Sequence, residues 1–167
     1  MTEIINENQN QPTFRYATKD DCALILKFIK GLAEYEKLLN EVVATPEILE
    51  ESLFNRKVAE VIFVMAEDKE VGFALFFHSF STFLGKPSLY LEDLFILPEE
   101  RGKGYGIAAL KRLAQIAVER DCGRFEWVCL DWNQPSIDLY LSLGAVPMED
   151  WTIYRMSGDK LIDFAAK

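Results

Sequence analysis

The 167-residue chain is poor in histidine, cysteine and basic charge and has no long apolar run, and each shortage removes a class of function. Its single histidine, His78, lies near the end of an apolar strand pattern, where an imidazole is more often structural than a base. Cys22, Cys122 and Cys129 are odd in number and widely spaced, with no CxxC and no histidine beside them. Neither a metal site nor a disulfide framework fits, and each reads as a small core residue. No stretch is apolar for long enough to span a membrane, and the polar Met1 to Gln11 does not resemble a secretion signal. A cytoplasmic protein of a reducing compartment, with no membrane partner, is expected. Lys and Arg total 18 against 27 Asp and Glu, a net charge of −9. Nucleic acid needs a basic face, so it is excluded as the main partner. The acidic balance suits a cationic ligand, although solubility alone also explains it.

What is present fits one domain. Half of the residues are hydrophobic, enough for one substantial core over residues 12–167 behind a flexible leader at 1–11. Thr13 to Ala17 reads as a short strand. Thr18 with Asp21 resembles a capping box, and Cys22, Leu24, Ile25, Phe28, Ile29 and Leu32 then follow a helical stripe to about Tyr35. Glu36 opposes the helix dipole there, an acid misplaced for stability. Thr45-Pro46-Glu47 starts a second helix running to about Asn55. Val58 to Ala66 and Val71 to Phe80 are strand patterns joined by the polar Glu67-Asp68-Lys69-Glu70, with a loop from Ser81 to Ser88 after them.

Tyr90 to Arg120 organises the rest. Tyr90 to Leu97 is apolar, as in a strand buried on both faces, except for the pair Glu92 and Asp93. Pro98 ends it, and Arg101-Gly102-Lys103-Gly104-Tyr105-Gly106 sets glycine at every second position. Ile107, Leu110, Leu113, Ala114 and Ala117 then recur at helical spacing, opposite Lys111, Arg112, Gln115 and Glu119. A glycine loop entering a helix N-terminus is a plausible anion site, phosphate above all, with Arg101 and Lys103 adding charge. The plainer alternative is a turn whose glycines supply positive φ.

Downstream, Arg124 to Leu130 reads as a strand and Pro135 to Leu143 as a short helix ended by Gly144. A last strand is expected at Trp151 to Met156 and a short helix at Asp159 to Phe164. The layout is α/β. A mixed sheet follows, because the tight polar connection makes one pair antiparallel, whereas the helix from Gly104 to Arg120 must cross over between parallel strands.

Two nucleotide-loop motifs fail on detail. Gly102-Lys103 is followed by Gly104 and not by the Ser or Thr of a P-loop. Gly104-x-Gly106-x-x-Ala109 satisfies a dinucleotide fingerprint, with Glu126 near the ribose-acid position, but too little chain follows for a dinucleotide domain. Arg101, Gly104 and Gly106 after a buried strand resemble instead the pyrophosphate loop of the GNAT acetyltransferases. YLEDLFILPEERGKGYG, LDWNQPSIDLYLSLGA and LAEYEK are similar to the diamine acetyltransferase branch, which includes the spermidine/spermine and thialysine N-acetyltransferases. The resemblance runs from about Phe14 to Met156.

That resemblance implies a GNAT fold with splayed parallel strands, acetyl-CoA as co-substrate, no metal, and a small cationic amine as acceptor. Leu94, Phe95 and Ile96 match the bulged strand that pairs with the pantetheine arm, and Arg101, Gly102, Lys103, Gly104, Tyr105, Gly106 and Ile107 match the pyrophosphate loop. Asn133 and Ser136 match further cofactor contacts. Tyr140 matches the general acid, although periodicity alone makes it a core aromatic. Glu92 matches a residue near the substrate amine, able to take its proton, while the sequence leaves open whether Asp93 is structural or functional. Tyr35, Glu36, Glu126, Trp127 and Glu149 match other substrate-side positions. Lys37, Leu38 and Leu39 stand where the spermidine/spermine enzymes carry more acids, which favours a short amine such as a diamine or lysine analogue. The family also implies a homodimer. A non-catalytic acetyl-CoA-binding domain and an acetyltransferase of protein amino termini remain alternatives.

Overall fold

The structure, a computed structural model, describes residues 11–166. The chain divides into two compact units, one ending at Val128 and the other beginning at Cys129.

The first unit is built on a five-stranded mixed sheet in the order β1-β2-β3-β4-β5. β1 is Thr13–Tyr16, β2 Glu60–Ala66, β3 Lys69–Ser81, β4 Lys86–Ile96 and β5 Arg124–Trp127. Helices α1 (Cys22–Tyr35) and α2 (Pro46–Glu50) precede β2, and α3 (Tyr105–Glu119) joins β4 to β5. The first four strands pair antiparallel, and β4 pairs with β5 in parallel, as a crossover helix requires.

The expected α1 start is present. The Asp21 carboxylate reaches back to accept from the Thr18 N–H at 2.7 Å. The same carboxylate takes both terminal nitrogens of Arg15 at 2.9 Å. Cys22, Ile25, Phe28 and Ala33 bury one stripe of the helix. Phe28 is the centre of that contact: its ring stacks on Phe73 at 5.5 Å and meets Phe63 at 5.9 Å and Phe95 edge-on at 6.4 Å. Those three rings come from three adjacent strands, so one side chain seats α1 across the sheet. At α2, Thr45 Oγ1 accepts from the Ile48 N–H at 3.3 Å with Pro46 in the first turn, and the helix runs on as a π-helical turn over Glu51–Asn55. Cys22 lies in this core, whereas Cys122 and Cys129 are half-buried and not core residues.

The other sheet face takes α3. Val64, Val71 and Ile96 pack with Tyr105 and Ala109, and Leu110, Leu113, Ile116 and Ala117 continue the buried stripe. The expected stripe is therefore out of phase at its start, with Ile107 46% exposed and Tyr105 only 6%. The backbone decides this. Gly104 sits at φ +82° immediately before the helix and sets the rotation at which the first turn leaves the strand.

Several expected boundaries shift. The β2–β3 turn is Glu67 and Asp68 alone, both at positive φ (+49° and +62°), the geometry of a two-residue hairpin. The loop expected over 81–88 shrinks because β3 reaches Ser81 and β4 starts at Lys86. The strand expected at 124–130 stops at Trp127, where its ladder with Leu91 ends.

The second unit holds α4 (Gln134–Ser142) and α5 (Asp159–Ala165). Residues 151–156 form no strand, contrary to expectation, because among the described residues that segment finds no ladder partner. No helix among the described residues is long and apolar enough to cross a membrane.

Candidate active site

The site in the first unit is assembled by an irregularity in β4. Leu75 pairs with Asp93 and Phe76 with Leu91, so Glu92 is left without an opposite residue. That is a bulge of one residue. Its effect follows from the pleat, in which residues separated by an odd number of positions face opposite ways. Tyr90 lies opposite Phe77, with ring centroids 5.0 Å apart, and Asp93 lies opposite Leu75. Phe77 and Leu75 share a face with Phe73, which packs on α1. The bulge thus brings Tyr90 and Asp93 to one face, together with Phe95, although three positions separate the first two.

Carboxylates gather on this face. Glu92 is exposed and Asp93 half-buried. Burial first, then Glu92, then Glu36 at the end of α1, all raise the Asp93 pKa, to about 6. Glu36 itself is pushed up by burial. Glu126 lies opposite Tyr90 in the parallel ladder. Burial, Glu92 and Glu126 together raise the Tyr90 hydroxyl. Four acids therefore surround one stretch of β4, where a cation is the complementary ligand. Asp93, whose role the sequence leaves open, thus sits half-buried among these acids, and its signal in the sequence is the acidic pair in an apolar strand. Trp127 stands apart. It pairs with Leu91, its ring lies 4.8 Å from that of Phe125, and strand alternation sends both to the face opposite Glu126.

The bulge coincides with a second feature. The β4–β5 ladder covers only Ser88 to Leu91, so from Glu92 to Ile96 β4 has β3 on one side and no strand on the other among the described residues. Leu94, Phe95 and Ile96 lie on this open stretch, with the Phe95 and Ile96 side chains buried.

The strand leads into the glycine loop. Gly102 and Gly104 adopt φ +78° and +82°, and a Cβ placed on Gly102, Gly104 or Gly106 would meet nothing within 4 Å. No side chain caps α3 at Gly104. A cradle open at the glycines, at a helix N-terminus with no side-chain cap, fits a phosphate group. The Tyr105 ring belongs to the core, so only its backbone faces this cradle, whereas Ile107 is exposed. The two cations are engaged elsewhere. Lys103 Nζ lies 2.7 Å from Glu100 Oε2, and Arg101 Nε donates to the Ile96 carbonyl at 3.0 Å. Tyr35, the last residue of α1, stands beneath the Arg101 guanidinium, 4.9 Å from ring centre to carbon.

In the second unit Asn133 is buried at the N-terminus of α4, and Ser136 and Tyr140, one turn apart on that helix, are half-buried. Glu149 is exposed in the irregular segment after it. Among the described residues no group of three or more His, Cys, Asp or Glu is arranged to hold a metal ion.

A strand bulged beside acids, opened along one edge and followed by a glycine cradle at a helix N-terminus sets a place suited to a cation next to a place suited to a phosphate. The profile of the Acetyltransferase (GNAT) family matches residues 30–145. The chain is 36% identical over 165 residues to the thialysine N-epsilon-acetyltransferase of Sus scrofa, covering 92% of this chain and 96% of that one. It is 32% identical over 162 residues to the spermidine/spermine N(1)-acetyltransferase-like protein 1 of Homo sapiens, covering 90% of this chain and 23% of the human protein. Among solved structures, an integron cassette protein from the mobile metagenome of V. cholerae superposes with a TM-score of 0.78 at 27% identity, over 94% of this chain and 99% of that one. The chain belongs to the GNAT acetyltransferase family and is an acetyltransferase.

Proposed function

We propose that the protein transfers the acetyl group of acetyl-CoA to a primary amine of a small cationic substrate, a diamine or a lysine analogue such as thialysine. The observation that carries this reading is the single strand β4, on which the acid-flanked bulge at Glu92 runs directly into the glycine cradle of α3. The relatives named for thialysine and for spermidine/spermine acetylation support an amine acceptor.

Acetyl-CoA supplies the activated thioester. In this reading the backbone of Leu94 to Ile96, along the open edge, pairs with its pantetheine arm. The amides from Gly102 to Ile107 hold its pyrophosphate, as a helix N-terminus favours. Asn133 and Ser136 are assigned to the cofactor by family resemblance. Glu36, Glu92, Asp93 and Glu126 attract the substrate ammonium. An ammonium with a pKa near 10 cannot attack, so Glu92 takes its proton through water, aided by the charge of its neighbours. The amine nitrogen then bonds to the carbonyl carbon as the carbon–sulfur bond breaks. The Tyr140 hydroxyl, assigned by family resemblance, delivers a proton to the departing sulfur, and the proton that the new amide nitrogen sheds returns to Tyr140 through water. We take the attack as direct, on the sequence pattern, which sets no cysteine beside its one histidine. A homodimer is part of the same proposal.

The test is release of free CoA from acetyl-CoA over a panel of diamines, polyamines, lysine, thialysine and amino-terminal peptides. Turnover with short diamines or thialysine is expected. CoA binding without release for any amine makes the protein a non-catalytic binder, and turnover with peptides alone makes it an amino-terminal acetyltransferase.

A further inference from the structure

Arg101 opens the glycine loop, yet its side chain is turned away from an anion and back into the fold. Its Nε donates to the Ile96 carbonyl at 3.0 Å, closing the chain between the end of β4 and the loop. Its guanidinium carbon lies 4.9 Å from the Tyr35 ring centre and 5.3 Å from that of Phe95. Phe95 in turn packs against α1 at Gly31, where an added Cβ would stand 2.8 Å from the Phe95 Cε1. Gly31 and Tyr35 are one helical turn apart, so they present the same edge of α1. A guanidinium laid over two aromatic faces is attracted to both and, being planar, is held in orientation by them. The last turn of α1, with Glu36 next to Tyr35, is thereby tied to the phosphate loop through one side chain.

We propose that Arg101 is a positioning residue that couples the acidic, amine-facing end of α1 to the glycine loop, so that Tyr35 sets how firmly the loop holds the CoA pyrophosphate. The proposal rests on the loop being the acetyl-CoA site. It makes the cofactor end of the protein sensitive to a residue on the proposed substrate end. A lysine at position 101 does not replace it, because an ammonium has neither the flat face nor the Nε donor.

The experiment is a double-mutant cycle on the full chain, read as the Kd of CoA by calorimetry with no amine present. Tyr35→Leu weakens CoA about three- to tenfold, the range of a cation–π contact, and Tyr35→Phe recovers most of that loss. In the Arg101→Gln background Tyr35→Leu has no further effect, because the contact it removes is already gone. Gly31→Ala, which displaces the other ring under the guanidinium, weakens CoA in the same direction. An unchanged CoA Kd in Tyr35→Leu, or an equal loss with and without Arg101, overturns the coupling while leaving the function standing. Absence of CoA binding by the unmutated protein overturns both.

Discussion

Glu92 and Asp93 are adjacent on β4, but only Asp93 has an opposite residue on β3, and burial together with the unpaired Glu92 raises the Asp93 pKa. The Asp93 carboxyl titrates at about 6 in the folded chain against an ordinary 3.8. Between those values the native state holds a proton that the unfolded state has released. Stability is full below the lower value and falls as pH rises through the upper one. Asp93→Asn, which cannot ionise, therefore stabilises the protein at pH 7.5 by about 1–3 kcal/mol and leaves it nearly unchanged at pH 3.5. Urea midpoints at the two pH values measure this. The same substitution weakens amine binding, because it removes a charge from the acidic face.

Asp21 behaves in the opposite sense. Its hydrogen bonds to Arg15 lower its pKa from 3.8 to about 2, against a smaller effect of burial. That stabilisation is present above the ordinary value and is lost as pH falls through the folded one. Asp21→Asn is expected to cost about 1–2 kcal/mol at neutral pH, once the partial exposure of Arg15 is allowed for, and to flatten the acid limb of the stability curve. Thermal melts from pH 2 to 7 report it.

The local parts of this architecture were legible in the sequence and the pairing was not. Pro98, the alternate glycines and the stripe from Leu110 to Ala117 are near neighbours in the chain, so the strand, loop and helix could be read together. Thr18 and Asp21 likewise announced the start of α1. The end of β5 at Trp127 and the absence of a strand at 151–156 depend on whether a distant strand is there to accept hydrogen bonds, and no local pattern carries that. The bulge lies between these cases. Two acids in an apolar run showed that something irregular occurs there, but only the register with Leu75 and Phe76 shows that Glu92 is the extra residue. The same ladder sets Glu126 and Trp127 on opposite faces of β5.

The β2–β3 turn offers a stabilising change remote from the acidic face. Glu67 and Asp68 both adopt positive φ, which residues with a Cβ resist. The double substitution Glu67→Asn with Asp68→Gly places the favoured asparagine–glycine pair in the turn and is expected to raise stability by about 0.5–1 kcal/mol. A higher Tm in a thermal melt, with an unchanged circular dichroism spectrum, checks it.

Removal of the proposed acid tests the chemistry. A hydroxyl that delivers a proton to the leaving sulfur contributes about 10²- to 10⁴-fold, so Tyr140→Phe lowers kcat by that order with little change in the Kd of CoA. Glu92→Gln acts on the amine side, raising KM for the amine and moving the acid limb of the kcat/KM profile. Full turnover by Tyr140→Phe at every pH removes Tyr140 from the mechanism, and an unmoved profile in Glu92→Gln does the same for Glu92.

Gly104→Ala separates a cradle from a simple turn. At φ +82° alanine is strained by about 1–2 kcal/mol, whichever reading holds, so a drop in Tm alone decides nothing. The space around Gly104 is open, however, and the new methyl group meets no protein atom within 4 Å. A turn with no ligand would yield a less stable protein with an unaltered CoA Kd. A cradle aims its backbone N–H groups at a phosphate, and relief of the strain rotates those donors. The expected result is a loss of at least about tenfold in CoA affinity at temperatures where the variant remains folded, measured by calorimetry beside a circular dichroism melt.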